Sequence, residues 1–298
     1  MDFIEQRIDR VRDDREHGSR WLVRETIMLL HDLATDSSLA PGERARQLRF
    51  AGRALLVARP AMAAIAGATL RILGAPGGVD GMAQAAGQLL SVYETATARI
   101  TEHARPMLTG TLMTHSLSGT VLDVLTACAS QLDGVIVLEG RPRFEGRDTA
   151  RALAKAGIAV TLITDAQAGI FLPQCQAVVT GADSILADGG ILNKAGTSLL
   201  GWAARGERKP FYVLCETLKV SPQHWQGDLS RLEEKEAEEV LETPIEGVTT
   251  RNFYFDYTPA RLLTHIITEQ GIVTRRDIRS IASMLRNASK SLDMPTSF

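Results

Sequence analysis

TLMTHSLSGTVLDVLTACASQLDGVIVLEG, residues Thr111 to Gly140, holds two short apolar runs, TLMTH and VIVLEG, on either side of the helical stretch VLDVLTACAS. The same alternation continues: the stretch around RDTARALAKAG, then AVTLITD, AQAGIFLP, AVVTGAD, a Gly-rich turn and FYVLCET, which ends at Thr217. Strands separated by helical crossovers predict a parallel sheet, because parallel neighbours need long connections. The fold class expected from residue 106 onward is therefore α/β.

Upstream the spacing is helical throughout. Ile4, Ile8 and Val11 share one face; Trp21, Leu22, Ile27, Leu29 and Leu30 continue the pattern after a polar break. Glu43 to Val57 reads as an amphipathic helix, and Pro60 opens the Ala-rich segment AMAAIAGATLRIL. GAPGGVDG (Gly74 to Gly81) is a turn cluster before a long helix from Met82 to about His103, ended by Pro106. The expected organisation is a helical domain over 1–105 and an α/β domain over 106–298. Within the second, Glu233 to Glu239 reads as an acidic, helix-like face. The last forty residues, from PARLLTHIITEQG onward, read as helices with a stop at Gly271.

A chain of 298 residues has room for about two domains of ordinary size. Its 33 basic and 35 acidic residues leave a net charge of −2, which removes the strongly basic footprint of a dedicated nucleic-acid binder. No run approaches the roughly 18 apolar residues of a membrane span, and the charged N-terminus MDFIEQRIDRVRDDRE has no signal-peptide core. Cys128, Cys175 and Cys215 are widely separated and lack metal-ligand spacing, so the expectation is a reduced, cytoplasmic chain without disulfides. No His/Asp/Glu cluster has ligand spacing, and neither GxGxxG after a strand nor a Walker A motif occurs. No metal, cofactor, membrane or direct nucleic-acid partner is expected.

Ligands of open parallel sheets bind beyond the carboxyl ends of the strands. The residues there are Thr114-His115-Ser116, Glu139-Gly140-Arg141, Asp165, Gly181-Ala182-Asp183, and Glu216-Thr217 with Lys219 nearby. Asp183 follows an apolar run, so burial can raise its pKa and suit it to general acid–base work; capping of the next turn is the alternative. Arg141 and Lys194 are candidate phosphate clamps, and the turn LADGGILNKAGT sets Asn193 and Lys194 ahead of a helix start. Gly18, Ser19 and Arg20 break the first helical region, either to meet a phosphate or to cap the helix that follows.

Taken in order, RPRFEGRDTARAL, VVTGADSILADGGILNKAGT, CETLK and FDYTPARLLTHIITEQG resemble one superfamily. It joins the regulatory subunits of initiation factor 2B with methylthioribose-1-phosphate isomerase and ribose-1,5-bisphosphate isomerase. The resemblance runs from about Gly110 to Gly271, with a weaker echo at Gly18-Ser19. It implies a helical N-terminal domain, a Rossmann-like C-terminal domain and a homodimer or higher homo-oligomer. It also implies a phosphorylated sugar or nucleotide as ligand. Carried over by position, the isomerases' acid/base aspartate falls on Asp183, their substrate-contacting Asn-Lys pair on Asn193 and Lys194, and the arginine of their RP motif on Arg141. Their Gly-Ala phosphate loop falls on Gly18 and Ser19. Their cysteine falls on Ser116, and the arginine before their Gly-Ala loop falls on His17.

The resemblance therefore implies an aldose–ketose isomerase with Asp183 and Ser116 at the reacting carbons, or a non-catalytic sensor of a phosphorylated metabolite. A serine hydroxyl is a far weaker acid than a thiol, whose pKa is about 8.5.

Overall fold

The computed structural model describes residues 2–14 and 16–294. Helices form where the spacing predicts them: α1 (Asp2–Asp13), α2 (Ser19–Thr35), α3 (Pro41–Ala58), α4 (Ala63–Leu73) and α5 (Gly78–Ala104). Their apolar stripes meet in one core that includes Ile8 of α1, Leu30 of α2, Leu55 of α3 and Leu70 of α4. The small residues of α4 let it run through the middle of this layer, almost wholly buried.

The expected strands follow as β1 (Gly110–His115), β2 (Leu132–Leu138), β3 (Val160–Ile163), β4 (Ala177–Thr180) and β7 (Phe211–Leu214). Between them lie α6 (Gly119–Ala127), α7 (Gly146–Lys155), the single-turn α8 (Ala168–Phe171) and α9 (Thr197–Gly206). The chain also makes β5 (Ser184–Ile185), β6 (Ile191–Lys194), β8 (Phe255–Thr258), β9 (His265–Thr268) and β10 (Gly271–Val273) before the closing helix α10 (Arg275–Ser291). The large sheet has the order β10-β9-β7-β4-β1-β2-β3, with every pair parallel except β9 and β10. Packed helices bury both of its faces, which gives the Rossmann-like α/β fold.

Two readings of the C-terminal part are corrected. HIIT is not helical: Ile266, Ile267 and Thr268 are buried in the sheet, and Gly271, at φ 96°, turns the chain back into β10. A fully buried strand shows no two-residue alternation, so its short apolar run resembles a helix segment. Glu233 to Glu239 forms a bend and a short 3-10 turn over Ala237–Glu239, with Glu233 at positive φ. Beyond that single turn the segment is tied to residues 252–254, by backbone bonds from Lys235 to Asn252 and from Tyr254 to Glu233 and by the side chains of Asn252 and Tyr254, both bonding Glu239.

Strands β1 to β3 add in one direction, and β4 then returns to the other side of β1. That reversal opens a crevice beyond the carboxyl ends of β1 and β4, the usual ligand position in such sheets. The helical layer covers it. Ser184, just past β4, bonds both Ala61 and Ala63 of the helical layer. Helix α10 spans both units, with Ile278 in the sheet core and Leu285 in the helical core.

Candidate functional site

One cavity opens at this crevice, lined by Gly18 and Ser19 among others, and the preceding residue, His17, lines a second, larger one. The smaller, about 200 Å³, is built from six pieces of chain that lie apart in sequence. Gly18, Ser19 and Arg20 come from the start of α2, and Ser118-Gly119-Thr120 from the start of α6 after β1. Ala182 and Asp183 follow β4, and Asn193 lies on β6. Glu216 and Lys219 follow β7, and Tyr93 of α5 closes the wall.

Local sequence explains the close fit. Ser118 caps α6, its hydroxyl accepting the Val121 amide at 3.4 Å, so the first turn of the helix faces the cavity with its positive dipole end. Gly181 must lack a side chain here: a Cβ would lie 2.6 Å from the Ser118 hydroxyl. Arg20 is braced by Asp123 at 2.7 Å and Thr97 at 2.9 Å, which fixes the start of α2 against α5 and α6.

The electrostatics centre on three charges. Lys219 Nζ lies 3.5 Å from Glu216 Oε2, and both side chains are almost fully buried. Glu216 Oε1 accepts the Thr120 hydroxyl at 2.7 Å. Burial pushes the Asp183 carboxyl above its usual range, against the pull of Lys219 and Lys194. Burial also opposes the charge on Glu216, but Lys219 and the Thr120 hydroxyl outweigh it and hold that carboxyl below the usual range. Burial likewise works against the Lys219 ammonium, and the carboxylates of Glu216 and Asp183 more than offset it. Two carboxyl groups of opposite tendency thus share one cavity with one lysine, the arrangement that separates a proton donor from a proton acceptor.

The larger cavity, about 470 Å³, has mixed-charge walls: Arg12, Arg59, Arg143 and Lys235 stand among Asp13, Asp14, Glu233 and Glu236, with His17 beside them, and Arg12 and Lys235 pair with Asp13 and Glu233. His17 is held by its ring Nδ1, 2.8 Å from Asp14, and stacks on Trp21 at 4.1 Å. Arg59 bonds the carbonyls of Val11 and Asp14. Arg143 pairs with Tyr254, whose hydroxyl burial and Glu239 push up to about 12.

Of the residues expected in the site, Gly18, Ser19, Arg20, Asp183 and Asn193 converge on the smaller cavity. Lys194 lies between the two: it sits 2.7 Å from Glu145, stacks 4.5 Å from the Tyr254 ring in the larger cavity, and its charge reaches Asp183. Arg141 is exposed and turned outward, bonding the Val240 carbonyl at 3.2 Å and lying over Phe144. Ser116 is buried at the end of β1 with φ 59°, packed against Gly140, and is not among the residues lining either cavity.

The residues not anticipated as site residues are Glu216, Lys219, Tyr93, the α6 start and Arg59. Glu216 and Lys219 were visible as strand-end charges in CETLK, three residues apart with opposite sign. Tyr93 carried no signal, since it lies in a helical stretch of unremarkable spacing, and Arg59 stands just past the end of α3, before Pro60, where a cation reads as an ordinary helix end. The three cysteines are free and buried, and burial pushes the Cys215 thiol well up. Among the described residues, no group of three or more His, Cys, Asp or Glu could hold a metal, and no helix is long and apolar enough to cross a membrane.

A helical layer closed over the switch point of a Rossmann-like sheet, with a buried Asp-Lys-Glu group beneath it, places the chain among two-layered α/β proteins with a cavity between helices and sheet. The profile of the Initiation factor 2 subunit family matches residues 15–275, and the chain belongs to that family. It is 33% identical over 287 residues to the ribose 1,5-bisphosphate isomerase of Archaeoglobus fulgidus, covering 92% of this chain and 90% of that one. The crystal structure of a Pyrococcus horikoshii translation initiation factor eIF-2B superposes with a TM-score of 0.79 at 30% identity, covering 93% and 99% of the two chains. The 5-methylthioribose 1-phosphate isomerase of the same organism shares the fold, with a TM-score of 0.70 at 23% identity over 95% and 87%.

Proposed function

We propose that this chain binds a phosphorylated sugar and isomerises it from aldose to ketose. The observation that supports the reading is Asp183, a desolvated carboxyl, in one cavity, with the Arg59 and Arg143 guanidinium groups in the wall of a second and His17-Gly18-Ser19 running from one to the other. A ligand with a phosphate at each end would place one in the larger cavity, near Arg59, and the other at the start of α6. Its reacting carbons would then lie beside Asp183. Long similarity to a ribose 1,5-bisphosphate isomerase supports the same ligand class.

In such a reaction one hydrogen moves between adjacent carbons through an enediol-like intermediate, which requires two placed proton-transfer groups. Asp183 is one. Ser116, at the position of the isomerases' cysteine, is the second by resemblance. Gly18, Ser19, Arg20, Asn193 and Lys194 hold and orient the substrate in this reading, and Arg141 serves from the rim. The protein works in the cytoplasm as a homodimer or higher homo-oligomer of its α/β domain, and residues 1–105 form the helical cap.

One observation favours a second reading, that of a non-catalytic sensor: Ser116 does not line the cavity that holds Asp183. The two separate when the purified protein is incubated with ribose 1,5-bisphosphate and methylthioribose 1-phosphate and ketose is followed for wild type and Asp183→Asn. Turnover lost in the variant supports the enzyme. No turnover by wild type, together with thermal stabilisation by the sugar phosphate, supports the sensor.

A further inference from the structure

We propose that Glu216 is the second acid–base group of this site, a catalytic residue facing the same substrate carbons as Asp183. The inference rests on the isomerase reading above and puts Glu216 in the role that the resemblance gives to Ser116. Three observations carry it. Glu216 lines the smaller cavity together with Asp183, whereas Ser116 does not. Its carboxylate is fixed rather than mobile, with Oε1 held by Thr120 at 2.7 Å and the residue only 3% exposed. Its other oxygen, Oε2, has no hydrogen-bond partner among the described residues and meets only the Lys219 ammonium at 3.5 Å.

A buried carboxylate oxygen without a hydrogen-bond donor is costly, and native proteins keep such groups chiefly where function requires them. Here the ion pair with Lys219 offsets part of that cost and leaves Oε2 free to accept a proton. The division of labour follows from the surroundings. Asp183 is favoured in its protonated form by burial, and Glu216 in its ionised form by Lys219 and Thr120.

The proton balance closes with these two groups. Asp183 gives its proton to the ring oxygen as the bond from that oxygen to the anomeric carbon breaks, leaving a ring-opened cation at that carbon. Glu216 removes the proton from the neighbouring carbon, and the freed electron pair forms the carbon–carbon double bond of the enol. Glu216 then returns the proton to the first carbon while the enol hydroxyl passes its proton to Asp183, giving the ketone. Both carboxyls end as they began.

The test uses the full-length protein with ribose 1,5-bisphosphate. Glu216→Gln keeps the shape and the bond from Thr120 but cannot accept the proton. The expected result is a fall in kcat of at least a hundredfold with KM changed by less than about threefold. Glu216→Asp should recover part of the loss. A Glu216→Gln enzyme that turns over within about threefold of wild type overturns the assignment and leaves the isomerase reading standing. Wild type without turnover overturns both.

Should Glu216→Gln fail to fold, the wild-type protein still decides. Bromoacetol phosphate alkylates a carboxylate base, forming an ester as bromide leaves, and peptide mapping locates the ester. Label on Glu216, prevented by ribose 1,5-bisphosphate, supports the assignment. Label only elsewhere contradicts it.

Discussion

Lys219 Nζ lies 3.5 Å from Glu216 Oε2 at the floor of the smaller cavity, and its charge also acts on Asp183, so one ammonium serves two buried carboxyl groups. Replacing it with an apolar side chain removes the largest compensating charge from both, leaving Asp183 only Lys194 and Glu216 chiefly the Thr120 hydroxyl. Lys219→Met is therefore expected to cost about 3–5 kcal/mol of stability, read as a lower urea midpoint at neutral pH. The deficit should shrink as the pH is lowered, because both carboxyls of the variant can then be protonated in the folded state. A loss below about 1 kcal/mol would mean that the pair is solvated and does not organise the cavity.

The turn carrying Glu216 and Lys219 is pressed against the helical layer at one point. A Cβ on Gly67 of α4 would lie 2.4 Å from the Leu218 carbonyl oxygen, and the Thr217 carbonyl accepts Arg71 at 3.1 Å. Gly67→Ala should push the two units apart there, costing about 1–3 kcal/mol and lowering turnover by displacing the carboxylate. Unchanged stability with unchanged kcat would show that the contact relaxes without consequence.

His115 contributes a loss of stability on acidification, which Asp256, pushed up to about 6 by burial, opposes in the same pH range. Its side chain is fully buried at the end of β1, with Nε2 2.9 Å from the Ala195 carbonyl and Nδ1 without a hydrogen-bond partner. Burial lowers its pKa despite the Ala195 carbonyl and Asp165. Below about pH 6.5 the unfolded chain takes up a proton that the folded chain resists, so this group's contribution falls as the pH drops. Urea titrations near pH 7.5 and 5.5 should show acidification disfavouring wild type more than His115→Gln. Equal changes would assign the acid sensitivity to other groups.

Arg59 tests the use of the larger cavity. Arg59→Met removes a guanidinium from its wall. If one phosphate of a bisphosphate sits there, the variant should bind ribose 1,5-bisphosphate about 10- to 100-fold more weakly, the weight of one or two charge-assisted hydrogen bonds. A sugar carrying a single phosphate should be affected less. Calorimetric titration of both ligands measures the difference; parallel losses would indicate collapse of the α1 contacts instead.

Much of this was legible in the chain itself. Helices with one apolar stripe, such as α2, and strands separated by crossovers, such as β1 and β2, announce themselves by period. Gly18, Ser19, Asp183 and Asn193 became candidates through the motif resemblance, position alone favouring caps and turns as much, and the structure gathers them around one cavity. Strand β9 escaped because burial on both faces erases alternation. Arg59 and Tyr93 escaped because helix packing, invisible in local sequence, brings them to the cavity walls. Ser116 shows the converse: its position in the motif is plain, but it lies buried against Gly140 with a left-handed backbone and is not among the residues that line the cavity.

The central claim is that the buried group around Asp183 moves a hydrogen between two sugar carbons. It is tested most directly by a proton magnetic resonance time course of ribose 1,5-bisphosphate with the purified protein in deuterated water. The account predicts loss of the anomeric proton signal and growth of the ketose spectrum for wild type, with neither for Asp183→Asn. An unchanged aldose spectrum in the presence of wild-type protein that binds the sugar would contradict it.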